Sequence, residues 1–143
     1  MKLDELIKKQ LISRQSRDPA KIKGSILIAK HFLKRAKSNQ EMGFSDVSML
    51  LAYMAMFHSA RVLLFEKGYK ERSHLAMIEA LRELYKDNKE LQDWLNVLDS
   101  YRLTRHSIQY STELSGELDA AQAIKDAESL ISFVVSLIKI DGK

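Results

Sequence analysis

The run Val47-Ser48-Met49-Leu50-Leu51-Ala52-Tyr53-Met54-Ala55-Met56-Phe57-His58-Ser59-Ala60-Arg61-Val62-Leu63-Leu64-Phe65 decides the fold of this 143-residue chain. Its apolar residues fall at nearly every angle around a helix, and a helix apolar on most of its circumference is surrounded by other helices. The pattern predicts a helix over about Asp46–Lys67. Ser45 or Asp46 would cap it, and Lys67-Gly68 would close it, glycine being best suited to a left-handed cap.

The flanking sequence supplies the surrounding helices. Leu3, Leu6, Ile7 and Leu11 share one side of a short first helix, about Lys2–Ser13. Arg17-Asp18-Pro19 is a stop and restart, with Asp18 as N-cap and Pro19 at the first helical position. The second helix runs to about Ser38 on the stripe Ile22, Ile26, Ala29, Leu33, Ala36, before Gly43 breaks it. A fourth begins near Ser73 and shows Leu75, Ile78, Leu81 or Arg82, and Tyr85. A fifth, about Lys89–His106, carries Leu91, Trp94, Leu95, Leu98 and Tyr101. A sixth, after Gly116, carries Leu118, Ala121, Ile124, Ile131, Val134, Val135 and Ile138. With one proline, five glycines and no sustained period-two alternation, no segment reads as strand. The expected fold is all-α, an antiparallel up-and-down bundle of five to six helices. It forms one domain over residues 1–143, in which 1–15 make an additional N-terminal helix.

Composition narrows the function classes. A hydrophobic fraction of 45% with 29% charged residues excludes a disordered chain. The lack of cysteine removes disulfide frameworks and thiolate metal sites. No apolar run is read as approaching the ~20 residues that span a bilayer. The longest candidate, Leu130 to Ile140, is interrupted by Ser132, Ser136 and Lys139, and Met1-Lys2-Leu3-Asp4-Glu5 lacks the apolar centre of a signal peptide. A cytoplasmic protein is expected. The net charge of +4 is uneven. Residues 1–40 carry 11 Lys and Arg against 3 Asp and Glu, a net of +8, leaving −4 for the remainder. A basic first third can attract phosphate-rich partners over a Debye length of ~8 Å, although a solvated lysine-rich face has the same composition.

Polar residues inside the apolar pattern are the candidates for chemistry. One further turn along the Leu91-to-Tyr101 stripe lands on Arg105, so a guanidinium occupies a core position. Its charge cannot be removed near neutral pH, so it pairs with a carboxylate such as Asp99, lines a cleft, or reaches water at a helix end. On the central helix Tyr53, Phe57 and Arg61 follow one another at intervals of four, as do Met54, His58 and Val62. His58 reads as a core-edge histidine, His74 after Ser73 as part of a helix cap, and Trp94 as packing. His31, His58, His74 and His106 include no pair at the three- or four-residue spacing that places two ligands on one helix face, so no metal and no cofactor is expected. Neither a glycine-rich phosphate loop nor a serine elbow occurs.

Taken together, Tyr53-Met54-Ala55-Met56-Phe57-His58-Ser59-Ala60-Arg61-Val62-Leu63-Leu64, then Gly68, Ser73-His74, and Arg105 with Tyr110, resemble the HEPN family over about residues 22–140. That resemblance implies a small helical bundle that dimerises. Many such proteins are metal-independent ribonucleases, often toxins, with an arginine followed after four to six residues by a histidine. Two copies meet across the dimer to form one cleft. Here the residue after four intervening positions is Tyr110, Arg102 and His106 have only three residues between them, and His106 points about 100° away from Arg105.

The resemblance therefore implies a nucleotide- or RNA-interacting homodimer. It would be the partner of a minimal nucleotidyltransferase in a toxin–antitoxin type system, with Tyr110 of a kind modified in that setting. An endoribonuclease toxin with an irregular motif and a catalytically inert helical adaptor are the alternatives. In a ribonuclease, Arg105 would stabilise phosphorane charge and His106 would act as a displaced base. Arg102, Arg105, Tyr110, Tyr53, His58 and Arg61 would bind the nucleotide or RNA.

Overall fold

The computed structural model describes residues 2–110 and 117–141, with the backbone alone for 107–110, 117, 118, 140 and 141. Among the described residues the chain forms an all-α bundle of six helices with one very small antiparallel ladder. The order is α1 (Leu3–Lys8), β1 (Ile12–Arg14), α2 (Pro19–Glu41), α3 (Ser45–Glu66), β2 (Tyr69–Glu71), α4 (His74–Leu84), α5 (Lys89–Tyr110) and α6 (Glu117–Asp141).

Helix α3 is the centre, as its apolar circumference requires. Helices α2 and α6 pack along it most extensively, and α5, α4 and β2 cover the rest. Ala52, Ala55, Met56, Val62, Leu63 and Leu64 lose essentially all contact with water. By length and composition α3 is apolar enough to cross a membrane, a property that a reading centred on Leu130–Ile140 overlooks. Its faces are instead buried by the other helices, which makes it a core helix.

The local signals explain most boundaries. Asp18 accepts a hydrogen bond from the Ala20 N–H at 2.9 Å with Pro19 beginning α2, and Ser73 accepts one from the Ala76 N–H at 3.0 Å at the start of α4. Gly43 and Gly68, at φ +84°, end α2 and α3. Helix α2 extends past Ser38 to Glu41, with the Ser38 and Asn39 side chains turned back onto the Lys34 and Arg35 carbonyls. Helix α3 differs at its start. Its N-cap position is Phe44, which makes no side-chain cap bond; Ser45 is already helical and Asp46 accepts from the adjacent Val47 N–H. Ser48 instead ties α3 to α2 by donating to the Ala36 carbonyl at 2.8 Å.

Two expectations fail at the N-terminal end. The first helix stops at Lys8, Gln10 turns the chain at φ +61°, and Ile12–Arg14 pairs with Tyr69–Glu71 in the register Ile12↔Glu71. Three residues are too few to display alternation, so the ladder has no signature in the sequence. In α4, Leu75 faces out at 42% exposure, and Ala76, Met77, Ile78, Ala80 and Leu81 form the buried face.

Candidate functional site

Helix α5 carries its stripe into the core through Leu91, Leu95 and Leu98, and its next turns bring Tyr101 and Arg105 to the end of the bundle. The Tyr101 hydroxyl donates to Asp126 of α6 at 2.6 Å; burial and this bond raise its pKa. One turn later the Arg105 guanidinium carbon stands 5.5 Å from the centroid of the Tyr53 ring. The stripe therefore delivers the arginine to the central helix. Arg105 Nε is buried and has no hydrogen-bond partner, and among the described residues no carboxylate is paired with this side chain. Asp99, the acidic partner expected from the sequence, is engaged by Arg102 Nε at 2.8 Å.

Tyr53 is 1% exposed, and its hydroxyl lies 2.6 Å from His74 Nδ1. Burial pushes the tyrosine pKa up to about 12, against the opposing pull of Arg105 and Arg102. Burial also pushes His74 down to about 4, reinforced by Arg105, His58, Arg102 and Arg61. The phenol thus keeps its proton beside a neutral imidazole, and one hydrogen bond joins the Tyr53 hydroxyl to His74 Nδ1. His74 also stacks on Phe57, with centroids 3.9 Å apart. These contacts replace the capping role that its place beside Ser73 suggests, and they make His74 the residue of this cluster that the sequence reading misses. Its partner is 21 residues away on another helix, beyond the reach of any local pattern.

The remaining candidates separate. His58 stacks against Phe32 at 5.5 Å and meets Phe57 edge-on, with its Nδ1 buried and unpartnered; burial and then Arg61 lower its pKa. Arg61 binds the buried Glu71 at 2.6 Å and lies over Phe65 at 4.9 Å, so it faces an acidic partner instead of the Arg105 group. Both residues connect to that group through Phe57. His106 is exposed, next along the helix from the half-buried Arg105. The backbone of α5 continues through Tyr110, whose side chain lies outside the described residues. Among the described residues no three His, Asp or Glu side chains are grouped to hold a metal ion.

An arginine over a tyrosine that is bonded to a neutral histidine, at one end of a helical bundle, is the setting against which relatives can be compared. The family model of the HEPN domain matches residues 22–138. This chain belongs to the HEPN family. The match spans α2 through most of α6 and leaves α1 and β1 outside it. A protein of Methanocaldococcus jannaschii named “Putative toxin MJ0605” is 26% identical to this HEPN chain over 133 residues, which cover 92% of the chain and 97% of the relative.

Chemically, the cluster offers a cation with no paired anion among the described residues, two aromatic faces and a neutral imidazole. A phosphate oxygen suits such a cation, since charge-assisted hydrogen bonds to guanidinium are strong where water is partly excluded. A histidine with a pKa of about 4 is a weak proton acceptor at neutral pH, and its Nδ1 is already occupied. The described side chains are better arranged to bind a phosphate than to deprotonate a ribose hydroxyl.

Proposed function

We propose that this HEPN protein is the toxin-type member of a toxin–antitoxin pair. In this reading it engages RNA or nucleotide phosphates through Arg105, acts as a homodimer and works with a nucleotidyltransferase-type partner. The observation that carries the reading is the Arg105 guanidinium, brought to Tyr53 without a carboxylate among the described residues and with its Nε unsatisfied. The name of the M. jannaschii relative supports the toxin class, and family membership supports the nucleic-acid setting. Arg102, beside it, has its charge offset by Asp99, which leaves Arg105 as the cation without a carboxylate among the described residues. Binding is favoured over cleavage because His106 leaves the Arg105 face and His74 is held neutral.

The test is incubation of the purified protein with labelled tRNA and mRNA in the absence of metal, beside Arg105→Ala. The expected result is retarded but intact RNA, with affinity reduced in the variant and falling as salt rises through counterion release. Cleavage abolished by Arg105→Ala would replace this reading with the endoribonuclease one. Absence of any complex with wild-type protein would leave the inert adaptor. Co-purification with a nucleotidyltransferase encoded beside the gene tests the partner, and failure of the two co-expressed proteins to associate would remove it.

A further inference from the structure

A second basic site lies away from the Arg105 cluster, where α2, α3 and the β1–β2 ladder meet. An open cavity of about 290 Å³ there is lined by Lys21 and Gly24 of α2, Arg61 and Phe65 of α3, Lys70 of β2, and Gln15. Three cations from three elements line it, and no carboxylate does. Glu71 neutralises part of this charge through both its oxygens, which receive the Arg61 Nε–H at 2.6 and 3.2 Å. Both bonds use Nε; among the described residues the Nη groups of Arg61 make no hydrogen bond, and the guanidinium lies over Phe65 at 4.9 Å. The apolar floor is Phe65, 5% exposed, with Ile28 beside it.

Gly24 supplies an independent observation. It lies inside α2, where glycine is less favourable than alanine by roughly 0.5–1 kcal/mol. A Cβ built on it meets nothing within 4 Å, and its φ is not in the left-handed region, so neither crowding nor backbone geometry calls for glycine. Gly24 lines the cavity, and a side chain there would extend into open space.

We propose that this cavity binds a small phosphate monoester. The phosphate would be held by Lys21, Arg61 and Lys70, and the attached sugar would lie against Ile28 and Phe65. A phosphate with one ring suits the volume, and three cationic side chains lining one cavity suit a dianion better than a monoanionic carboxylate. The site uses none of the Arg105, Tyr53 or His74 side chains; Arg61 alone links it to that group, through Phe57.

Calorimetric titration of the full chain with ribose 5-phosphate, with inorganic phosphate, and with ribose as control tests it. Saturable binding of ribose 5-phosphate is expected, weaker binding of phosphate, and none of ribose. The Lys21→Gln/Lys70→Gln pair should weaken binding by about tenfold or more, as expected on losing two charge-assisted contacts. Gly24→Leu should abolish binding while leaving the melting temperature equal or higher, because leucine is the better helix former and enters open space. Arg105→Ala should leave binding unchanged. No saturation by ribose 5-phosphate at millimolar concentration, undiminished binding in Gly24→Leu, or loss of binding in Arg105→Ala alone would each overturn the proposal. Binding confined to RNA carrying a 5′-phosphate would do so as well.

Discussion

Arg102 and Arg105, three residues apart on α5, have opposite surroundings. Arg102 reaches back one turn to Asp99 at 2.8 Å, the i,i+3 geometry that brings helix neighbours together, whereas Asp99 and Arg105 are six apart and lie on different faces. Periodicity alone placed Arg105 on the core stripe correctly but not its surroundings, since those depend on Tyr53 from another helix. Arg105→Ala should therefore lower stability by no more than about 1–2 kcal/mol, the range of a partly desolvated cation–π contact. A much larger loss by thermal or urea denaturation would show that the residue is chiefly structural. His74 gives a pH prediction. Its pKa falls from 6.5 unfolded to about 4 folded, so below 6.5 the unfolded chain takes up a proton that the folded chain refuses. The His74 contribution is complete above pH 6.5 and is lost as pH falls toward 4. The melting temperature of His74→Gln should fall less steeply across that window than that of wild type. Parallel slopes would refute the assignment.

At the scale of elements, the central helix was legible because its pattern is long. Twenty-two residues with apolar side chains on every face admit few arrangements. The angle at which each residue meets a neighbour was not legible, and the distinction has energetic content. Leu64 is fully buried, so Leu64→Ala should cost about 2–5 kcal/mol, whereas the partly buried Leu51 should cost less on the same change. Equal losses in chemical denaturation would contradict this ordering. At the end of α3, Gly68 combines φ +84° with a position where an added Cβ would stand 3.2 Å from the Gln15 carbonyl oxygen. Gly68→Ala should destabilise by at least about 1–2 kcal/mol, the left-handed penalty of an L-residue, again measured by denaturation. The glycine was readable as a cap. The crowding by Gln15, just past β1, was not, because a three-residue strand paired 55 to 59 positions away leaves no periodic trace.

For the whole molecule, the distribution of exposed apolar residues bears on the proposed homodimer. The faces of α3 are largely covered within the chain, and α1 packs on α4 and β1. Among the described residues, the large apolar side chains open to water are Leu27 and Ile28 on α2, Met42, Phe44 and Val47 around the α2–α3 turn, Leu75, and Leu103 on α5. A homodimer should give a light-scattering mass of about twice 16.4 kDa at micromolar concentration, and a single species of 16.4 kDa would exclude it. The β1–β2 ladder also bears on how the chain is made. Ile12 leaves the ribosome long before Glu71, and Arg72, whose N–H bonds the Leu11 carbonyl, follows later still. The opening segment, rich in lysine and arginine, must wait unpaired through the synthesis of two long helices. Residues 11–14 are thus synthesised well before their partners, and a nascent chain halted before β2 would carry them unpaired and positively charged.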